Sequence, residues 1–319
     1  MKRIGNLYEK IIDIENLKLA DKIARKGKLK QLGVINHDKN KEENLRNLNY
    51  LLKSKIYKTS EYTTFTVFEP KERLIYKLPY YPDRIVHHAI MNILEPIFVS
   101  TFTKDTYNCI KNRGIHAVYN AIKIVLTDEE NTTYCLKLDI TKFYPNIDHI
   151  ILKQLLRRKF KDWDLLWLLD EIIDSCDGLP IGNYLSQYLA NFYLSYFDHW
   201  LKEEKRVKYY FRYGDDIVIL HSDKKYLYCL FLEIKKYLNN NLKLMVKQNY
   251  QIFPVEKRGI DFIGYVFRHS YIKLRKFIKK NFIKAIKKNK NSKSIASYYG
   301  WAKHCNSKNL LNKILYEKI

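Results

Sequence analysis

Few of the features that would anchor, export or staple a chain are present in this sequence. Its 319 residues hold five cysteines, Cys109, Cys135, Cys176, Cys229 and Cys305. They are scattered and odd in number, with no CxxC pair and no metal-ligand spacing, which excludes a disulfide framework and a thiolate zinc site. Reduced thiols in a cytoplasmic protein are the expectation. No apolar run is long enough to span a bilayer and the first residues do not read as a signal peptide, so no membrane partner is expected. Low-complexity linkers and internal repeats are also missing, which excludes solenoids. Acidic residues are scarce: 34 Asp and Glu face 58 Lys and Arg, leaving a formal charge of +24. Such an excess favours a polyanionic partner through counterion release. An AT-rich genome would also inflate lysine, but it would do so evenly. Residues 256–319 instead carry 17 Lys and Arg against 3 Asp and Glu.

Two acidic elements stand out against that basic background. Val207 to Leu220 reads VKYYFRYGDDIVIL, two apolar and aromatic runs rich in β-branched residues around Tyr213-Gly214-Asp215-Asp216. The pattern is strand, tight turn, strand, with Gly214 able to take a positive φ. Adjacent carboxylates on a rigid turn repel each other unless a cation sits there, and a divalent metal is the obvious one. A solvated turn is the plain alternative, since Gly-Asp is a common turn dipeptide. The second element is CLKLDITKFYPNID, where Leu136, Leu138 and Ile140 alternate and Asp139 falls inside the run. Aspartate is disfavoured within a strand and tolerated when paired or ligating a metal. One carboxylate from a strand and two from a hairpin are the ligands of a two-metal phosphoryl-transfer site.

The rest of the chain supplies helices and basic groups. Residues 1–60 keep helical apolar spacing, and the charged run from His37 to Arg46 reads as a solvated helix face or loop. Tyr62 to Leu78 reads as a β-hairpin with Lys71 and Arg73 at or just past its tip, either solvated or meeting a nucleoside triphosphate. A helix is expected from Asp83 and Arg84, its apolar period lasting until Pro96. Lys111 and Arg113 lead into another helix, a placement that suits a nucleic-acid backbone. His116 has no partner at ligand spacing and reads as a packing or polar contact. Tyr144, five residues past Asp139, is either a core aromatic or a ring under the sugar of an incoming nucleotide. The Gly178–Asn183 turn opens an amphipathic helix with Ser186 and Gln187 on its first turn, where they could bond a base or sugar edge. Residues 224–241 read as a helix, NLKLMVKQNY as a strand with Lys243 and Lys247, and Arg258 to Val266 as a hairpin. The end reads as two or three basic helices with aromatics between them, including Lys276, Lys279 and Lys280, a composition that fits a duplex-gripping surface.

In this order, RLIYKLPYYPDRIVHHAI, TYNCIKNRGIHAV, LKLDITKFYPNIDH, GLPIGNYLSQYLANFYL, FRYGDDIVIL and RGIDFIGYVF resemble the consecutive blocks of a reverse transcriptase, from about Phe65 to the C-terminus. The Ile181–Gln187 block, IGNYLSQ, resembles the diversity-generating retroelement branch, where IGxxxSQ replaces the Gln-Gly start and Ser-Pro end of most relatives. Two departures are Gly214, where Met or Ala is usual, and Tyr184-Leu185 in place of Leu-Thr.

The resemblance implies an α+β right-hand polymerase fold: an N-terminal helical extension (1–60), fingers (61–135), a catalytic palm with an antiparallel sheet (136–255) and a small helical thumb (256–319). It implies two Mg2+ ions, with Mn2+ able to substitute, held by Asp139, Asp215, Asp216 and the Ile140 carbonyl. Arg73 matches the fingers arginine on the dNTP, Tyr144 the sugar gate and Gln187 the residue beside the nascent pair, with Ile181 and Arg73 flanking that pair. Arg84, Lys111, Arg113, Lys276, Lys279 and Lys280 are the expected nucleic-acid contacts. The implied partners are a template RNA, the RNA/DNA duplex, dNTPs and, in a retroelement, a basic oligomeric accessory protein. Copying of a template-repeat RNA with errors at adenine is the implied function. A phage-defence reverse transcriptase with a dedicated RNA or untemplated synthesis is the alternative. A catalytically silent maturase-type RNA-binding protein is a third reading, which the intact aspartates disfavour.

Overall fold

The computed structural model describes residues 3–68, 72–287 and 292–316, with side chains to 312. Lys71 lies outside the described residues. The chain forms two compact units, one from residues 1–103, 141–200 and 237–245, the other from 104–140, 201–236 and 246–319.

The first unit is mostly helical. Helices Ile14–Ala24 and Tyr184–Tyr193 pack on Ile85–Thr101, which buries Val86, Ala89, Ile90, Leu94 and Phe98. Helix starts are set locally: Asp13, Asp148 and Asp162 each accept backbone N–H groups of the turn they precede, satisfying donors that have no intrahelical partner. The helix expected to stop at Pro96 continues to Thr101. Phe98 is fully buried there and meets Phe160 and Phe192 with ring centroids 6.0 and 5.3 Å apart, contacts that outweigh the hydrogen bond the proline cannot make. His37 departs from the solvated face expected of its charged run. It is buried beside Asp21, whose carboxylate also takes a two-pronged bond from Arg25 at 2.8 Å and the Tyr80 hydroxyl at 2.5 Å. These partners hold the buried Asp21 carboxyl below its ordinary pKa against the opposing effect of burial.

Strands β1 (Thr63–Val67) and β2 (Arg73–Lys77) form the expected antiparallel hairpin, Val67 opposite Arg73. Every residue of β1 is exposed.

The second unit is built on an antiparallel sheet of β3 (Tyr134–Asp139), β4 (Tyr209–Tyr213), β5 (Asp216–His221) and β6 (Gln251–Pro254), in the order β4-β5-β3-β6. Strands β7 (Ile260–Phe262), β8 (Tyr265–Phe267) and β9 (Ile272–Leu274) form a second antiparallel sheet, followed by helices Lys276–Lys287, Ser292–Ala302 and Lys308–Tyr316. One apolar core joins them: Val118 and Ile122 of helix Ile115–Val125 with Phe211 and Val218 of the first sheet, Phe262, Tyr265 and Phe267 of the second, and Phe282. The α+β class with antiparallel sheets is as expected.

The strand expected over residues 241–250 is not there. Helix Lys224–Leu242 runs one residue further, Lys243 takes a left-handed φ of 50°, and the Leu244 N–H returns to the Leu238 carbonyl at 3.0 Å. Leu242 and Leu244 alternate like strand residues, but both are buried at the helix end. The strand starts only at Gln251.

Candidate active site

The β4–β5 hairpin closes in a two-residue loop, with Tyr213 paired to Asp216. Gly214 has φ 66° and Asp215 is not among the residues with positive φ. That combination is the type II′ turn whose first position asks for glycine. A Cβ at Gly214 would stand 3.2 Å from the Asn108 amide nitrogen, so space as well as φ favours glycine. The loop is held from below by Arg212, which is fully buried and donates to the Gly214 carbonyl at 3.1 Å. Its backbone is fixed in turn, Arg212 N–H to the Asp105 carbonyl at 2.9 Å and Tyr107 N–H to the Arg212 carbonyl at 3.0 Å.

The sheet register brings the carboxylates together. Asp139 ends β3 directly opposite Asp216, which starts β5, and directly opposed like charges destabilise an antiparallel pair. Asp215 follows Gly214 in the turn. Its carboxyl is pushed up to about 7, first by burial, then by the charges of Asp139 and Asp216. One oxygen of Asp139, Oδ1, is buried with no hydrogen-bond partner. The other, Oδ2, is bound by Lys247 Nζ. A carboxylate cluster with an unsatisfied buried oxygen and an elevated pKa is short of positive charge, and hard oxygen donors of this kind suit Mg2+ or Mn2+. Among the described residues no group of three His, Cys, Asp or Glu side chains stands ready in metal-holding geometry. Ile140 is buried next in the chain and bridges to Val246.

The sequence pattern runs through most of this chain as a known family does. The reverse transcriptase (RNA-dependent DNA polymerase) family profile matches residues 56–267, a span that includes all three aspartates. The chain belongs to the reverse transcriptase family. Similar curated proteins include Protein YkfC of Escherichia coli K12, 24% identical over 233 residues, covering 59% of this chain and 61% of that protein. Another is the group II intron-encoded protein LtrA of Lactococcus lactis subsp. cremoris, 26% identical over 139 residues, 40% of this chain and 23% of that protein. The chain thus spans less than two thirds of either relative. Among solved structures, apo telomerase from Candida tropicalis shares the fold with a TM-score of 0.50 at 10% identity, over 66% of this chain and 48% of that one.

Other residues expected of a reverse transcriptase site lie in the first unit. Arg73 begins β2 and is exposed. On the same strand the Tyr76 N–H donates to the Ile181 carbonyl at 2.8 Å, and a Cβ at Gly182 would stand 2.8 Å from the Tyr76 carbonyl oxygen. The hairpin and the Ile181–Gln187 block are therefore joined backbone to backbone. Tyr144 is half-buried, and its carbonyl accepts the Leu179 N–H at 2.9 Å. A Cβ at Gly178 would come within 2.5 Å of that carbonyl oxygen, which explains the glycine. Gln187 is half-buried, whereas Ser186, expected to reach a base or sugar edge, is buried. Arg84 is half-buried before Ile85–Thr101.

In the second unit, Lys111 is exposed and Arg113 half-buried ahead of Ile115–Val125. Lys276, Lys279 and Lys280 are exposed on the helix whose other face buries Phe282 and Ala285. His116 packs on the His304 ring, centroids 4.3 Å apart. Sequence reasoning missed Arg212 as the support of the turn and Lys247 as the cation on Asp139. An arginine inside an apolar strand, flanked by Phe211 and Tyr213, was the available signal for the first.

Proposed function

We propose that this chain is an RNA-directed DNA polymerase whose catalytic centre is Asp139, Asp215 and Asp216. The observation that carries the reading is the opposed pair Asp139 and Asp216 beside a turn-borne Asp215 pushed up to about 7, in a cluster with one buried carboxylate oxygen unpartnered. Divalent ions held by these carboxylates and the Ile140 carbonyl would activate the primer 3′-hydroxyl and neutralise charge on the pyrophosphate leaving group. The protein's own share is positioning. Arg212 and the II′ turn hold Asp215 and Asp216, and the β3–β5 register holds Asp139 against them. Arg73 and Lys71 are assigned to the triphosphate, Tyr144 to the sugar, and Ile181 and Gln187 to the nascent pair. Arg84, Lys111, Arg113, Lys276, Lys279 and Lys280 are assigned to the nucleic-acid backbone.

The Asp215→Asn variant tests the centre. Primer extension on an RNA template is expected to fall by about a thousandfold or more, with the thermal midpoint unchanged or raised because a crowded charge is gone. Extension near the wild-type rate would overturn the assignment.

Within the family, we place the chain in the diversity-generating branch, on the Ile181–Gln187 block, with a template-repeat RNA and a basic accessory protein as partners. Sequencing the cDNA made from co-purifying RNA tests this. Changes concentrated opposite template adenines support it, whereas faithful, repetitive or untemplated products favour the phage-defence reading.

A further inference from the structure

The carboxylate cluster does not stand without a cation. Lys247 Nζ pairs with Asp139 Oδ2, the lysine side chain 30% and the aspartate 22% exposed. The placement is fixed by backbone as well as by charge. The Lys247 N–H donates to the Asp139 carbonyl at 2.8 Å, and Ile140 bridges Val246 beside it. The neighbouring ladder pairs Lys137 with Gln251. Three residue steps along β3 are thus matched by five on the facing segment, with a turn at Gln248-Asn249 taking up the excess. That bulge lets Lys247 meet the end of β3, where a regular ladder would set it beyond the carboxylates.

We propose that Lys247 is a tethered counter-ion, closing over Asp139 in the metal-free protein, and that a divalent ion enters the cluster by displacing it. The inference rests on the metal-binding reading of Asp139, Asp215 and Asp216. Lys247 satisfies the Asp139 oxygen that faces it but leaves Oδ1 buried and unpartnered, so one point charge neutralises the cluster only in part. A doubly charged ion that binds several carboxylates at once does better, and the flexible ammonium stem can swing away to water. Exchange of one cation for another keeps the opposed aspartates from facing each other unscreened, and it weakens apparent metal affinity in proportion to how completely the lysine is closed. The lysine is thereby a gate on metal occupancy, separate from any part in the chemistry.

The test is Mn2+ binding to the full chain, followed by the loss of the free-ion electron paramagnetic resonance signal, with no nucleotide or nucleic acid present. A lysine closed about nine-tenths of the time predicts that Lys247→Met and Lys247→Gln bind Mn2+ about tenfold more tightly than wild type. Lys137→Met is the control for charge alone. Lys137 lies on β3 two residues before Asp139, with its ammonium on the Asp261 carbonyl, and its loss is expected to change affinity by less than about twofold. In chelator, Lys247→Met is expected to melt several degrees below wild type, and the gap is expected to close in saturating Mn2+. Equal affinity in wild type and both Lys247 variants, or an equal gain in Lys137→Met, overturns the gate while leaving the metal site in place. Binding to Asp139→Asn as tight as to wild type, or none to any of these proteins, overturns the metal reading and the gate together.

Discussion

Hairpins β1–β2 and β4–β5 are both short antiparallel pairs, and the protein treats them in opposite ways. In β4 and β5 the interior residues are buried, among them Phe211, Val218 and Leu220, and the turn is bonded from beneath by Arg212. In β1 no residue is buried, and Phe65 is 50% exposed. The β4–β5 hairpin has its turn geometry determined several times over, by glycine φ, by a buried guanidinium and by a packed sheet. The β1–β2 hairpin is held by its own ladder and by the Tyr76 bond to Ile181. Charge clustering explains the contrast. Three carboxylates in proximity repel, so the backbone that presents them needs a core behind it, whereas the β1–β2 hairpin presents Arg73 and Lys77 to water at little cost.

Perturbing each hairpin sharpens that contrast. Replacing Arg212 with Met leaves the Gly214 carbonyl and the Thr106 hydroxyl without their buried donor. The expected loss is about 3 kcal/mol of stability, seen in urea unfolding, with polymerisation falling alongside it. Gly214→Ala asks a side chain to adopt φ 66° beside Asn108. A loss of about 1–2 kcal/mol is expected, together with a fall in kcat for single-nucleotide incorporation larger than the change in KM. On the exposed hairpin, Phe65→Ser is expected to move stability by less than about 0.5 kcal/mol. Arg73→Ala is expected to raise KM for dNTP about fivefold with the melting temperature unchanged. A large stability loss from Phe65→Ser would show that the exposed hairpin has a partner surface after all.

Much of this was legible in the residues. The YGDD turn, the Asp139 strand, the first hairpin and the basic C-terminal helices all follow from local periodicity and turn chemistry. Errors fell where distant packing overrode a local rule. Leu242, Leu244 and Val246 alternate as a strand would, yet Leu242 and Leu244 serve the end of a helix that buries them. Pro96 reads as a stop, yet Phe98 carries the helix through it. His37 sits in a charged run, yet it is buried beside Asp21 with its ring stacked on Tyr81.

By itself the sequence determined which carboxylates exist, that two share a tight turn and one ends a strand, and the order of motifs that marks a reverse transcriptase. Only the tertiary structure decided that Asp139 faces Asp216, that Arg212 lies under the turn, and that Lys247, 108 residues away, closes on Asp139. The physical reason is range. Periodicity reports which face of its own element a side chain occupies, while charge pairing depends on the register between elements, which is set by the sum of the core contacts.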